Sequence, residues 1–162
     1  MKEVEGGKYS IKTLVEMGCR KFGAIFKSDD RQGLLRYAGF CEGLLDSGLG
    51  LDSAIVRWYT TEDKEDGTRI FSNGMVEDYS NVDGLVCYND QVAMAAINSF
   101  RDSDVPMPKI ISFDHSHLSD IFPKSIISIG HRKEELGITA ATKMINMLEG
   151  KKEESLFLDW II

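Results

Sequence analysis

Apolar positions fall into two textures that alternate along the chain: short unbroken runs, and longer stretches in which they return with helical spacing. Residues 8–17 (KYSIKTLVEM) put Ile11, Leu14 and Val15 on one helical face, and Gly18 offers a C-terminal stop. KFGAIF (21–26) reads as a strand ending in the polar run Lys27-Ser28-Asp29-Asp30. In 33–48, Leu34, Ala38, Cys41 and Leu45 recur at helical spacing before Gly48 closes the element. SAIVRWY (53–59) is strand-like and ends near Glu62-Asp63-Lys64; 64–80 reads as a less regular helix interrupted by Gly67 and Gly74. DGLVCY (83–88) predicts a buried strand, and 90–102 a helix turning Val92, Ala93, Ala96, Ile97 and Phe100 inward. KIISF (109–113) is a strand ending at Asp114-His115, and SIISIG (125–130) another ending at His131. A long helix over 133–149 and a last strand over 155–162 complete the series.

Strands that are continuously apolar and separated by helices predict a three-layer α/β/α fold with a mostly parallel sheet covered on both faces. Right-handed crossovers then bring the carboxyl ends of the strands to one edge, where ligands of open α/β sheets bind. Five successive strands end in polar clusters. The fold therefore predicts one crevice lined by Lys27, Asp29, Asp30, Gln32, Arg36, Glu62, Lys64, Tyr88, Asn89, Asp90, Asp114, His115 and His131.

Composition narrows what that crevice can serve. The 162 residues suffice for one domain with a core. A net charge of -7 repels phosphate backbones, so this stretch does not grip nucleic acid by itself. No window approaches the roughly 20 apolar residues of a membrane span, and the opening MKEVEGGKYS has no apolar core of a secretory signal. Cys19, Cys41 and Cys87 are odd in number, far apart and without zinc spacing, which predicts unpaired thiols in a reducing, cytoplasmic setting and no metal or cofactor site. Met144, Met147, Trp58 and Trp160 read as packing residues, and Lys2-Glu3 and Lys151-Lys152 as solvated ends.

No nucleophile elbow, Walker loop, GxGxxG or HExxH is present, so catalysis has no recognisable starting point. Carboxylates, amides and an arginine beside Tyr88 suit a polyol, whose hydroxyls each donate and accept while an aromatic ring covers the C–H face. Plainer readings stand beside this one. Asn89 or Asp90 can be only the N-cap of the 90–102 helix. Asp114 can cap a turn at 116–118, His115 and His117 can be ordinary loop histidines, and Arg36 can pair with Asp29 or Asp30.

QGLLRYAGFCEGL, VDGLVCYNDQVAMAAI, and PMPKIISFDHS followed by SIISIGHRKEELGITAATKMI resemble, in order and spacing, segments of the effector domains of LacI/GalR sugar-responsive regulators. Together they cover most of the chain. IFKSDDRQGLLRYAGF, TTEDKE and CYNDQ narrow the resemblance to the arabinose-responsive repressors, in which such a domain is joined to a GntR-type winged helix. The resemblance implies a periplasmic-binding-protein-like type I fold that binds a sugar, here L-arabinose, between two lobes and so relieves DNA binding. It implies that Arg36, Asn89 and Asp114 bind the sugar, that His131 lines the pocket near the hinge, and that Lys27, Asp29, Gln32 and Tyr88 contribute. Asp90 becomes a cap and loop organiser. Two departures are Ser112, where the family has glycine, and His115, where it has a second aspartate.

The same resemblance reads residues 1–162 as the second lobe of a partial effector domain, with no DNA-binding domain and with the 133–149 helix one that normally crosses to the first lobe. An isolated lobe should bind sugar weakly. The helix carries two apolar stripes, Leu136-Ala140-Met144-Met147 and Ile138-Ala141-Ile145-Leu148, which predicts a homodimer. Two alternatives stand beside this reading, one from the same superfamily and one from another class. A transporter's sugar-binding protein shares the fold; a phosphoacceptor receiver domain needs a lone aspartate ending its third strand and a lysine ending its fifth, where this chain has Asn89-Asp90 and His131.

Overall fold

A computed structural model describes residues 2–65, 75–117, 121 and 126–161. The strands are β1 (Phe22–Lys27), β2 (Ala54–Tyr59), β3 (Gly84–Cys87), β4 (Lys109–Phe113), β5 (Ile126–His131) and β6 (Trp160–Ile161). They form one six-stranded sheet in the order β2-β1-β3-β4-β5-β6, parallel except where β6 runs against β5. The chain leaves β1 toward β2 and returns to β3 on the other side. That reversal between β1 and β3 is a topological switch point, and crossover loops there leave a crevice beyond the strand ends.

Helices α1 (Glu3–Glu16) and α2 (Arg31–Asp46) cover one face. Ile11, Leu14, Phe40 and Leu44 meet Phe22, Phe26, Val86, Ile111 and Phe113 there. On the other face α5 (Asp90–Arg101) seats Val92, Ala93, Ala96, Ile97 and Phe100 against Ile25, Leu85 and Ile110, as its apolar spacing predicts. This three-layer arrangement is the expected one. Burial on both faces explains why β1, β3 and β4 are apolar without alternation.

The α1–α2 contact departs from the sequence expectation in an instructive way. Helix α1 begins at Glu3 rather than residue 8, and in α2 the stripe through Leu34 and Leu45 faces solvent, 51% and 59% exposed. The buried face is Gly33, Arg36, Gly39, Phe40, Gly43 and Leu44. A β-carbon at Gly39 would run into the Val4 carbonyl, and one at Gly7 into the Arg36 carbonyl, so glycine is what lets the two backbones touch. Apolar periodicity does not register such a face. Gly39→Ala should destabilise the fold by about 1–3 kcal/mol, because the obstacle is backbone and only separation of the helices relieves it; urea unfolding reads the difference.

Further corrections concern the periphery. Helices α3 (Thr61–Glu65) and α4 (Met75–Asp78) are short, and most of the helix expected over 64–80 lies outside the described residues. Among the described residues, the strand expected over 155–162 pairs only at Trp160 and Ile161. Helix α6 (Lys133–Leu148) has no buried residue, so Met144 and Met147, expected to pack, are 66% and 63% exposed. Its start is tied to the strand edge by Lys133 Nζ donating to the His115 carbonyl. No helix among the described residues is long and apolar enough to cross a membrane.

Candidate functional site

Arg36 stands at the centre of the strand-end edge and is 2% exposed. A buried guanidinium is tolerable only with its charge paired and its donors used. Here Nε donates to Glu3 Oε2 at 2.8 Å, Nη1 to the Tyr88 carbonyl at 2.5 Å, and Nη2 to Asp114 Oδ1 at 3.4 Å. The cation also lies 4.4 Å from the Phe113 ring centroid and 5.0 Å from that of Tyr88. Arg36 therefore joins α1, α2, β3 and β4. The pairing with Asp29 or Asp30 weighed from the sequence does not occur, since Lys27 occupies both, at 3.5 and 3.4 Å.

Glu3 is the residue that sequence reading missed. Expected at a solvated end, it is 4% exposed and holds Arg36 through one oxygen while Gln32 Nε2 reaches the other at 3.4 Å. A signal existed, because an arginine on the buried face of a helix needs a carboxylate. The sequence does not say which of 26 acidic residues supplies it.

A second group sits on the β1 side of the switch point. The Tyr88 hydroxyl donates to Asp30 Oδ2 at 2.5 Å, and Asp30 caps α2 by accepting from Gly33 N at 2.7 Å. Burial works to raise the Asp30 pKa, but the Tyr88 hydroxyl, the Gly33 N–H and Lys27 prevail and hold it below the usual carboxylate range. Asp29 is also lowered, chiefly by the Thr61 N–H, which it accepts at 2.8 Å. Asp29 is thus engaged in tying β1 to α3. Of the wider crevice set, Glu62 is exposed, and the Lys64 side chain lies outside the described part.

Asn89 and Asp90 divide the roles left open between them. Asn89 caps α5, its Oδ1 accepting from Val92 N at 3.0 Å. Its Nδ2 stays uncommitted among the described residues. Asp90 is not the cap. It is 1% exposed and receives the Ser112 hydroxyl, the Ser128 hydroxyl at 2.5 Å, and both the N–H and hydroxyl of Ser116, at 2.6 and 2.7 Å. One carboxylate thereby gathers the ends of β3, β4 and β5. Ser112, the departure from the family's glycine, is one of its donors. Beyond it, Asp114 and His115 adopt positive φ angles of 90° and 41°, leaving the Asp114 side chain 48% exposed at the crevice. His115 stays in the loop, its N–H on Ser128 Oγ at 2.9 Å.

His131 closes the far end. Its ring stacks on Trp160 at 3.9 Å with 27° between planes, and neither ring nitrogen has a hydrogen-bond partner among the described residues. Trp160 does more than pack, since its Nε1 donates to the Lys2 carbonyl at 2.7 Å and ties the two ends of the described chain together. Burial first of all lowers the His131 pKa below 6.5, so the fold holds the neutral imidazole. Because the unfolded imidazole takes up its proton at higher pH than the folded one, this residue's contribution is present above about pH 6.5 and is lost as pH falls below it. His131→Gln should flatten the fall in urea midpoint between pH 7.5 and 5.5; an unchanged fall would place its origin elsewhere.

The site residues expected from the sequence thus form two adjoining groups, Gln32-Arg36-Asp114-His131 and Lys27-Asp29-Tyr88, bridged by Arg36 on the Tyr88 ring, with Asn89 following Tyr88 as the cap of α5. What they offer is a strand-end edge with fixed donors and a half-exposed carboxylate. No cluster of three or more metal-ligating side chains occurs among the described residues.

Comparison with known proteins accords with this architecture. Residues 11–157 match the model of the periplasmic binding protein-like domain. The chain is 32% identical to the arabinose metabolism transcriptional repressor of Halalkalibacterium halodurans, over 95% of this chain and 42% of that protein. It is 26% identical to the repressor of the same name from Geobacillus stearothermophilus, over 96% of this chain and 44% of that one. It spans under half the length of these relatives. Among solved structures, a periplasmic binding protein/LacI transcriptional regulator from Alkaliphilus metalliredigens, complexed with D-xylulofuranose, superposes with a TM-score of 0.79 at 23% identity, covering 95% of this chain and 58% of that one. That likeness shows the fold.

Proposed function

This chain belongs to the periplasmic binding protein-like domain family, and we propose that it is a sugar-binding lobe of a bacterial transcriptional repressor, with L-arabinose as effector and no catalytic role. The carrying observation is Arg36, buried and held at the switch point with its Nη2 on a half-exposed Asp114. A polyol hydroxyl can accept from Arg36 and donate to Asp114 at once, with Asn89 Nδ2 beside it and the Tyr88 ring for the C–H face. His131, Lys27, Asp29 and Gln32 complete the proposed pocket. The repressor relatives support regulation over transport and the arabinose assignment over other sugars.

Because the chain spans less than half of those repressors, we assign it one lobe of a two-lobed module, with DNA contact made by other parts. Calorimetry of this chain joined to such a first lobe, against pentoses and hexoses, tests the reading: L-arabinose should bind most tightly, and no heat with any sugar would refute it. The 162-residue chain alone should bind orders of magnitude more weakly, since a polyol held from one side keeps its other hydroxyls in water. Asn89→Ala should weaken binding roughly ten- to a hundredfold, about 1–3 kcal/mol for an unpaired hydroxyl. Wild-type affinity would leave Asn89 as a cap alone.

Self-association belongs to the same proposal. Helix α6 exposes Ile138, Met144, Met147 and Leu148, the last at 83%. A second copy can cover that surface across a two-fold axis. Sedimentation velocity should show a dimer that Met147→Glu disperses, and a monomer at high concentration would exclude it.

A further inference from the structure

We infer that Glu3 is the positioning residue of the ligand site: it fixes both Gln32 and Arg36 in the attitude that a sugar needs. The inference rests on the sugar-binding reading above and adds a residue that neither the family resemblance nor the relatives single out. Gln32 and Arg36 lie one turn apart on α2, and Glu3 receives both, Gln32 Nε2 on Oε1 at 3.4 Å and Arg36 Nε on Oε2 at 2.8 Å. A carboxylate from a neighbouring helix thus sets two side chains with a single anchor. The anchor is itself rigid, because Glu3 is 4% exposed in the first turn of a helix that glycines press against α2.

The charge arithmetic explains why this matters for binding as well as folding. Arg36 carries one positive charge and has two carboxylate neighbours. The Glu3 contact is short and buried, whereas Asp114 is 48% exposed at 3.4 Å. Glu3 takes the larger share of the guanidinium, so Asp114 is held loosely and keeps acceptor capacity for a hydroxyl. With Glu3 neutral, Asp114 becomes the sole counter-charge of Arg36 and is drawn onto it, and a sugar must then compete with an ion pair.

Glu3→Gln tests this, since glutamine keeps an acceptor of the same length and removes the charge. The chain joined to a first lobe as in the calorimetric test, labelled with 15N, is titrated with L-arabinose, with D-glucose as a control, and its thermal unfolding is measured without sugar. Wild type should show saturable shifts at residues 88–90 and 114–116 and at the Arg36 Nε–H. Glu3→Gln should weaken L-arabinose binding about tenfold, move the Arg36 Nε–H and Gln32 amide signals, and lower the melting temperature without unfolding the protein at the titration temperature, with Glu3→Asp intermediate. Equal sugar affinity in Glu3→Gln and wild type, with or without a lower melting temperature, would make Glu3 a structural ion-pair partner only and overturn the inference. Absence of sugar-dependent shifts in wild type would overturn the sugar-binding reading itself, and the inference with it.

Discussion

Arg36→Ala should destabilise the fold by roughly 3–5 kcal/mol, the range for removing one member of a buried ion pair. The variant leaves Glu3 buried without its cation, strips the Tyr88 carbonyl of its donor, and opens a void between the Phe113 and Tyr88 rings. Sugar binding should be lost as well, so binding assays on this variant alone do not separate ligand contact from misfolding. The double variant Glu3→Leu/Arg36→Met separates them. It exchanges the ion pair for apolar groups of similar size and should recover most of the stability while recovering none of the binding. Urea unfolding of the single and double variants gives the coupling directly. A loss below about 1 kcal/mol in Arg36→Ala would be the value of an exposed pair and would contradict the burial of this one.

The legible parts of this molecule are those where a residue's chemistry agrees with its surroundings over a short stretch. Runs such as FGAIF and GLVC are apolar throughout because helices cover both sheet faces, and their polar terminators lie on the crevice edge because parallel topology leaves nowhere else for them. Helix α5 was legible down to its inward residues. Helix α2 was not, since its buried face is three glycines, an arginine, a phenylalanine and a leucine, whereas Leu34 and Leu45 of its regular apolar stripe point to water. Glu3 was illegible for a different reason. Its role depends on a partner 33 positions away, and an acidic residue beside Lys2 near a chain end looks solvated in every local window. The same limit applies to Trp160, whose apolar bulk suggested packing while its stacking on His131 depends on an antiparallel pairing that the pattern of 155–162 overstated.

Asp90→Ala carries the other large expected effect, again roughly 3–5 kcal/mol. Hydrogen bonds to a charged acceptor contribute about 1.5–3 kcal/mol each, and their sum falls short of additivity because they share one group. Four donors converge on this carboxylate: without it the hydroxyls of Ser112 and Ser128 become buried without this acceptor, and Ser116 loses the two bonds that tie the loop to it. The loss also reaches the ligand edge, because Asp114 and His115 hold left-handed backbone conformations that unsupported non-glycine residues leave readily. Asp90→Asn is the discriminating companion. An asparagine side chain offers one acceptor oxygen in place of two, so part of the serine network survives and the loss should be about half. Hydrogen exchange at residues 112–116 should accelerate in Asp90→Ala well beyond the global change in stability. Uniform acceleration across the sheet, with no excess in that loop, would mean that Asp90 stabilises the fold as a whole without organising the loop that presents Asp114.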